Sequence, residues 1–330
     1  MKIGKVKIIV VLLLFSTILL ANWKRERESL DRVYTISDFR IFYTLRGRNA
    51  LPEFQRRDLN SNDTPDFVED IALQLVTADH LYSDLLGFVK PLENERYRGK
   101  VKGIDIHLLD LKDKHGSSGD AIVTYHYRFI RVETRPVLSI KIANTIASTS
   151  LTPAHELFHC YQNGYTMFKN RWYTEGTARW IEYAFRRGTG PFDTLPQTYD
   201  EISGLLKKSY GSKYFWNRLT KLCAKKHRFD LIEPWKSMRL VSSDIKIIED
   251  DTLDGYHFMR DLLNTFEEYD HYISKQRGFS LFDWSEKEQK AKENNRYLLK
   301  GIAETVKQYE CESNPETSGF LKAIDQYNVQ

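Results

Sequence analysis

Between residues 100 and 145, apolar and polar residues alternate along short runs of the chain. The runs cover residues 101–109, 122–132 and 137–142, and the polar stretch 116–119 separates the first from the second. A period of two is typical of strands that bury one face. The pattern therefore predicts three strands, with a loop at 116–119.

Elsewhere the apolar positions follow a helical period. An amphipathic run covers residues 65–86. A second helix is expected to have Thr152 as its N-cap and Pro153 at its first position, and to stop at Asn163-Gly164. One face of this second helix is apolar: Ala154, Leu157, Phe158 and Tyr161.

A third helix is predicted to begin with Thr174 as its N-cap, and the chain from residue 199 onward is expected to be mostly helical. A small sheet that precedes a set of helices is the pattern of an α+β fold. We therefore expect one domain over residues 22–330, with a sheet-containing part at 35–150 and a helical part at 151–330.

The first 21 residues have the composition of an export signal. Lys2, Lys5 and Lys7 precede an apolar run over residues 8–20, which is shorter than a comfortable membrane-spanning helix. Cleavage after Ala21 would give a secreted or periplasmic protein. The residue three positions before this cut is large, which is a poor match to a cleavage site, so an uncleaved segment that anchors the protein in a membrane is the alternative.

The charge of the chain is nearly balanced. The sequence has 49 basic and 45 acidic side chains, a formal net charge of +4, and three of the basic ones are the lysines of the first 21 residues. This balance argues against a nucleic acid or an anionic membrane surface as partner. A chain of 330 residues is long enough for a sizeable apolar core.

The strongest chemical signal is the motif H-E-x-x-H at residues 155–159. Residues four apart share one face of a helix, so His155 and His159 can bind one Zn²⁺. Glu156 is then placed to act on a water molecule at the metal. The alternative is a helix with two surface histidines and an ion-paired carboxylate.

A third zinc ligand is expected from the following helix. Catalytic zinc has three protein ligands and one open position. Glu175 lies sixteen residues after His159, and a turn followed by a returning helix can bring its carboxylate beside the two histidines. Considered alone, Glu175 would be an acid of the first turn, favoured by the helix dipole.

A second metal motif lies at residues 58–69. Oxygen-bearing side chains, one backbone carbonyl and a final glutamate follow the spacing of an EF-hand calcium loop. The predicted Ca²⁺ ligands are Asp58, Asn60, Asn62, Thr64 (by its carbonyl), Asp66 and Glu69. Position 6 is Asp63, where a positive φ is needed, and aspartate tolerates that conformation better than most residues. The alternative is an Asx-rich turn that caps the following helix.

Together these motifs resemble the gluzincin group of zinc metallopeptidases, in which H-E-x-x-H is followed by a glutamate on a second helix. Within that group the chain is similar to a family of secreted bacterial metallopeptidases with the pattern H-E-x-x-H-x-x-Q and then W-x-x-E-G-T-A-x-W-x-E. The matching residues are His155, Glu156, His159, Gln162, Trp172, Glu175, Gly176, Thr177, Ala178, Trp180 and Glu182. The likeness extends to residues 38–43, which resemble the opening strand of the family, and to the calcium loop, where the family has glycine at position 6.

The resemblance implies a zincin-like fold and an enzyme that hydrolyses peptide bonds in peptide or protein substrates. His155, His159 and Glu175 would bind zinc, and Glu156 would be the general base toward a zinc-activated water.

The resemblance leaves two roles open. Glu182 is either an outer contact of the metal site or an exposed helix acid. Gluzincins generally use a tyrosine or histidine from the second half of the chain to stabilise the transition state, and the sequence does not choose among Tyr210, His227 and His257.

Two other function classes remain open. One is a calcium-stabilised binding or adhesion protein with a structural or vestigial metal site, and the other is a zinc hydrolase of non-peptide amides or esters. The presence of Glu156 argues against the first, because a structural site needs no base and is usually closed by four ligands.

Three cysteines complete the chemical inventory. Export permits one disulfide, and we expect it between Cys223 and Cys311, with Cys160 buried in the H-E-x-x-H helix.

Overall fold

The computed structural model describes residues 27–186 and 190–329. The expected signal segment and its cleavage site lie outside these ranges. Among the described residues, no helix combines the length and the apolar character needed to cross a membrane.

Contacts divide the described chain into two units. The sheet unit consists of residues 27–72 and 101–150, and the helical unit consists of residues 73–100, 151–186 and 190–329. Residues 73–100 thus group with the helices, although the sequence-based division at residue 150 places them before the helical part.

The sheet unit contains six strands: β1 (Arg32–Ile36), β2 (Phe39–Tyr43), β3 (Ile104–Leu109), β4 (Gly116–Ser118), β5 (Val123–Thr124) and β6 (Pro136–Ala143). The sheet order is β1-β2-β3-β6-β4, and β5 also pairs with β6. The pairings β2 with β3 and β3 with β6 are parallel, and the others are antiparallel. The strands expected at 38–43, 101–109 and 137–142 are confirmed as β2, β3 and β6.

Two expectations for this sheet are wrong. The stretch 116–119, expected to be a loop, contributes β4, and the stretch 122–132, expected to be a strand, pairs only at β5. Residues beyond β5 instead pack on an apolar cluster of Leu30, Phe42 and Leu109; they are Tyr127, Ile130 and Val132. The alternation at 125–132 therefore belongs to a segment that covers the sheet without pairing with it.

The strand register gives the sheet one apolar and one polar face. Ile41 pairs with Ile106, which in turn pairs with Ile140, and all three are buried. One residue earlier along β2 and β3, Arg40 pairs with Asp105. Side chains alternate along a strand, so this pair lies on the opposite face.

The amphipathic run at 65–86 is confirmed as helix α1 (Asp66–His80), which continues into one wider turn at Leu81–Leu85. Gly87, with a φ of +79°, follows this turn. The boundary between the two units falls inside α1, between Ala72 and Leu73.

Eight further helices lie in the described part of the helical unit: α2 (Thr152–Tyr165), α3 (Arg171–Ile181), α4 (Tyr199–Leu205), α5 (Lys213–Leu222), α6 (Tyr256–Arg277), α7 (Glu286–Gln289), α8 (Asn294–Gln308) and α9 (Pro315–Val329). Helix α2 packs against α3 and α6, α3 packs against α5, and α8 packs against α6 and α9. A small mixed sheet followed by helices is the α+β architecture expected from the sequence.

The helical unit departs from expectation between α5 and α6. Residues 223–255 contain turns and two isolated antiparallel bridges, Arg228 with Thr252 and Arg239 with Lys246, in place of the expected helix. The expected disulfide between Cys223 and Cys311 is present, and Cys160 is buried and takes no part in it.

Candidate metal centre

Helix α2 carries the H-E-x-x-H motif. The N–H of His155 bonds to the carbonyl of Leu151, which makes Leu151 the N-cap, so the expected cap at Thr152 is wrong by one residue. The apolar stripe of this helix is buried as predicted, and the ring of Tyr82 meets the ring of Phe158 edge-on at 5.3 Å. This packing fixes the direction in which the opposite face points.

Helix α3 brings Glu175 to the same place. Its N-cap is Asn170 and its first residue is Arg171, so α3 begins four residues before the start expected at Thr174. Glu175 is therefore in the second turn of α3. An acid there is not stabilised mainly by the helix dipole, whose effect is confined to the first turn.

The three predicted zinc ligands converge. Nε2 of His155 lies 3.4 Å from Oε2 of Glu175, and Nε2 of His159 lies 3.6 Å from the same oxygen. The two imidazole rings are 4.8 Å apart and nearly perpendicular. Bonds of about 2.0–2.1 Å to a tetrahedral zinc ion place ligand atoms about 3.4 Å from each other, so the observed spacings fit such an ion.

The second nitrogen of each imidazole has its own acceptor. Nδ1 of His155 is 2.8 Å from Oε1 of Glu182, and Nδ1 of His159 is 2.6 Å from Oε1 of Gln162. Glu182 is buried, so it is a contact of the cluster and not an exposed helix acid. Hydrogen bonds of this kind orient histidine ligands and leave Nε2 for the metal.

The electrostatics of the cluster favour a cation. Burial lowers the pKa of His155, but hydrogen bonds to Glu175 and Glu182 and the charge of Glu156 outweigh it and raise this pKa to about 9. Burial likewise raises the pKa of Glu175, but hydrogen bonds from His155 and His159 hold it well below its usual range. The surrounding carboxylates thus stabilise positive charge at the point where the ligand atoms meet.

Of the three candidates for transition-state stabilisation, Tyr210 lies at the cluster. Its ring is 6.0 Å from that of His155, and its hydroxyl hydrogen-bonds with Glu175. Burial and the charges of Glu175 and Glu156 raise the pKa of Tyr210, so the phenol keeps its proton near neutral pH.

The other two candidates have different surroundings. The carbonyl of His227 accepts a hydrogen bond from the N–H of Leu253, and the ring of His257 lies 4.3 Å from that of Tyr256. These contacts belong to the stretch between α5 and α6 and to the first turn of α6, so Tyr210 is the candidate that the geometry favours.

The turn that carries Tyr210 is held closely against α3 at Gly176. The side chains of Ser212 and Trp216 both donate to the carbonyl of Trp172, at 2.7 and 3.0 Å. A Cβ at position 176 would lie 2.3 Å from Oγ of Ser212 and 2.5 Å from the ring of Trp216. The motif contains this glycine, but its reason, the close approach of a distant turn, is visible only in the fold.

Residues of the predicted calcium loop converge in part. The amides of Asn60 and Asn62 donate to the two carboxylate oxygens of Glu69, at 3.0 and 2.7 Å. Asp63 has a φ of +66°, as its position in such a loop requires. The N–H of Thr64 bonds to the side-chain oxygen of Asn62 within the same turn. Positions 3, 5 and 12 of the loop therefore meet.

The two remaining acids bond to the backbone of the loop. Asp58 accepts the N–H groups of Asn62 and Asp63, and Oδ1 of Asp66 accepts the N–H of Leu59. Oδ2 of Asp66 is buried without a hydrogen-bond partner among the described residues. The loop combines the backbone bonds of an Asx-rich turn with a buried carboxylate oxygen that suits a cation.

Comparison of the chain with protein-family models, with curated proteins and with solved structures finds no match. What the protein does therefore has to be inferred from its site.

The donor set of the site fits zinc. Two imidazole nitrogens and one carboxylate oxygen form a group of three ligands in the described chain. Structural zinc sites are usually closed by four protein ligands, whereas catalytic sites keep one position open. The arrangement is therefore suited to catalysis more than to structural support.

Proposed function

We propose that the chain is a zinc-dependent metallopeptidase of the gluzincin type with a zincin-like fold. The observation that carries this proposal is the convergence of His155, His159 and Glu175, with Nδ1 of each histidine engaged by Glu182 or Gln162. An accidental cluster would not require both imidazoles to be held with Nε2 pointing to one carboxylate oxygen.

The residues of the site would divide the work of hydrolysis. His155, His159 and Glu175 would hold zinc, which when bound polarises a carbonyl group and lowers the pKa of water. Glu156 lies beside His155, and its charge acts on both His155 and Tyr210. Its carboxylate would accept the proton of the attacking water and pass it to the leaving amine.

Tyr210 would supply a hydrogen bond to the carbonyl oxygen of the substrate as negative charge develops there. Its ring is close to His155, and close to half of the residue is open to solvent, so a substrate can reach it. Its raised pKa keeps the hydroxyl protonated, and therefore a donor, near neutral pH.

We also propose that the loop at 58–69 binds Ca²⁺ and that the protein is exported, acting on peptide or protein substrates outside the cytoplasm. The unpartnered oxygen of Asp66 and the convergence of Asn60 and Asn62 on Glu69 support the calcium site. The disulfide between Cys223 and Cys311 is typical of an oxidising compartment.

Elemental analysis of the purified protein tests the zinc site. We expect about one zinc per chain, lost or loosened in Glu175→Ala. Glu156→Gln should keep the metal and lower kcat for a peptide about 10²–10⁴-fold, because its amide cannot accept the proton. The matched control is Glu268→Gln, the same change at an exposed position of α6.

The outcomes separate the function classes. Absence of zinc under metal-replete conditions, or undiminished hydrolysis by Glu156→Gln, would overturn the proposal. Bound zinc without cleavage of any peptide would favour a binding protein, and cleavage of esters or small amides alone would favour a hydrolase of non-peptide substrates.

A further inference from the structure

Two arginines and a tyrosine form a rim beside the proposed zinc ligands. Arg171, Glu175 and Arg179 follow each other at intervals of four along α3 and therefore share one face of that helix. The ring of Tyr210 lies over this face, with the guanidinium carbons of Arg171 and Arg179 at 5.9 and 5.3 Å from its centre. We call Arg171, Tyr210 and Arg179 the cationic rim.

The cationic rim faces solvent, whereas the ligands lie deeper. The side chains of Arg171 and Arg179 are 63% and 42% exposed, compared with 16% for Glu175 and 8% for His155. A molecule that approaches the ligands from solvent therefore meets guanidinium groups first.

The two arginines differ in how firmly they are engaged. Arg179 donates two hydrogen bonds to Glu182, at 3.0 and 2.9 Å, and so supports the residue that orients His155. The guanidinium of Arg171 is 3.8 Å from Oε1 of Glu175, beyond hydrogen-bonding distance. Arg171 is thus a mostly exposed cation next to a proposed metal ligand.

We infer that Arg171, with Arg179 on the other side of Tyr210, binds a carboxylate of the substrate next to the scissile bond. This inference rests on the proposed function and adds its substrate class, which is peptides that present an acidic side chain or a free C-terminal carboxylate at that position. A planar guanidinium can hold a carboxylate with two parallel hydrogen bonds. These bonds add affinity and also fix the orientation of the peptide.

The charge of the site is consistent with this preference. Arg171, Arg179 and a bound dication together carry four positive charges. Glu156, Glu175 and Glu182 carry three negative charges, so the site has a formal excess of one positive charge. Loss of Arg171 would remove that excess. Because Arg179 is engaged by Glu182, the preference for an anionic group should depend on Arg171 more than on Arg179.

The first test compares two hydroxamates of equal length on the zinc-loaded protein, one ending in a carboxylate and the other in a primary amide. Calorimetry should show the carboxylate binding about 10- to 100-fold more tightly to the wild type. Arg171→Gln should abolish this difference, and Arg171→Lys, which keeps the charge but loses the fork, should retain part of it. The matched control is Arg186→Gln, an exposed arginine beyond α3.

Zinc content is measured for each variant first, because Arg171 lies close to Glu175. Equal dissociation constants for the two hydroxamates on the wild type, or an unchanged difference in zinc-loaded Arg171→Gln, would overturn the inference.

The second test identifies the source of the carboxylate. The values of kcat/KM are compared for three peptides. The first has glutamate beside the cleaved bond and a blocked C-terminus, and the second has glutamine in place of that glutamate with the same blocked C-terminus. The third has the glutamine and a free C-terminal carboxylate. Preference for the first or the third supports the inference and names the source, and equal values for all three contradict it. If no peptide is cleaved, the proposed peptidase function fails, while the hydroxamate comparison still decides whether Arg171 binds a carboxylate.

Discussion

Each imidazole of the proposed zinc site depends on one acceptor, which is Glu182 for His155 and Gln162 for His159. Gln162 is itself fixed, because its amide donates to the carbonyl of Thr174 at 2.9 Å. The carbonyl oxygen of Gln162 therefore faces His159 in a defined orientation.

We expect Gln162→Leu to lower zinc affinity about 10- to 100-fold, because His159 loses the hydrogen bond that orients its ring. Competition with a chromogenic chelator measures this change. Gln276→Leu, the same substitution at an exposed position of α6, is the control. Unaltered affinity in Gln162→Leu would show that packing alone orients His159.

Asp270 is a second residue with an unusual environment. It is fully buried on α6, its Oδ1 accepts the N–H of Met167, and its Oδ2 has no hydrogen-bond partner among the described residues. Burial raises the pKa of Asp270 to about 7, against the effects of Met167 and of the charge of Arg96. An unfolded aspartate titrates near about 4, so the folded state binds this proton more tightly.

The contribution of Asp270 to the free energy of unfolding should therefore fall as pH rises from about 4 to about 7. We expect Asp270→Asn to flatten this pH dependence. At pH 8 the free energy of unfolding of the variant should exceed that of the wild type by on the order of 1–3 kcal/mol. Urea unfolding at pH 5, 6, 7 and 8 measures it, with the exposed Asp325→Asn as control. Parallel pH profiles for Asp270→Asn and the wild type would contradict the assignment.

At the scale of elements, the site depends on the close approach of α3 to the turn before α5. Gly176 makes this approach possible, since a side chain there would overlap Ser212 and Trp216. The same turn carries Tyr210, so the packing of two elements determines where the proposed transition-state donor lies.

We expect Gly176→Ala to reduce the free energy of unfolding by about 1–3 kcal/mol, because overpacking outweighs the better helix propensity of alanine. Gly204→Ala in α4 is the matched control, since its added methyl group meets nothing within 4 Å and should be neutral or stabilising. Denaturant unfolding of both variants checks the difference, and equal stabilities would show that α3 can shift without cost.

The polar face of the sheet is a second interaction between elements. Arg40 on β2 makes two hydrogen bonds of 2.8 Å to Asp105 on β3, and Tyr127 donates to the same carboxylate at 3.0 Å. His107 lies 2.7 Å from the hydroxyl of Tyr127. These buried groups are satisfied by each other, so removing one leaves a charge without compensation.

Arg40→Met should therefore destabilise the protein by about 3–5 kcal/mol. Arg48→Met is the control, because Arg48 pairs with Asp110 at the surface and should cost at most about 1 kcal/mol. Thermal or denaturant unfolding gives both values. A small loss in Arg40→Met would mean that Asp105 takes up a proton in its place.

The elements predicted from the sequence are those in which the spacing of apolar residues marks the buried face, such as α1, α2 and β3. The sequence missed the start of α3, because Asn170 and Thr174 are both capping residues and only the fold decides between them. It also read the alternation at 122–132 as strand pairing, although most of that stretch covers the sheet.

For the candidate site, the motif predicted that His155, His159 and Glu175 come together, and their side chains do meet. The contact of Glu182 with His155 and the position of Tyr210 beside it could not be derived, since both depend on contacts between distant elements. Arg171 and Arg179 gave no signal in the sequence beyond their charge.

At the scale of the whole molecule, each unit has its own candidate ion site. The predicted calcium loop lies in the sheet unit and the predicted zinc ligands lie in the helical unit. Ion binding to a folded loop stabilises the folded state in proportion to the occupancy of the site.

Addition of Ca²⁺ to chelator-treated protein should therefore raise its Tm, with a gain of about 2.7 kcal/mol at 100 times the Kd. Glu69→Gln should lose most of this gain, because Glu69 joins Asn60 and Asn62 at the loop. Glu53→Gln, an exposed acid of the same unit, is the control. A calcium response of equal size in Glu69→Gln would favour the Asx-rich turn without an ion.

The disulfide between Cys223 and Cys311 makes the chain between these residues a closed covalent ring. The proposed peptidase activity would expose the chain to cleavage by other copies of itself. The non-helical stretch at 224–255, within this ring, has many exposed residues. One cut there would leave both pieces joined through sulfur. The nicked molecule would migrate as a single band on a gel without reductant and separate into two bands after reduction.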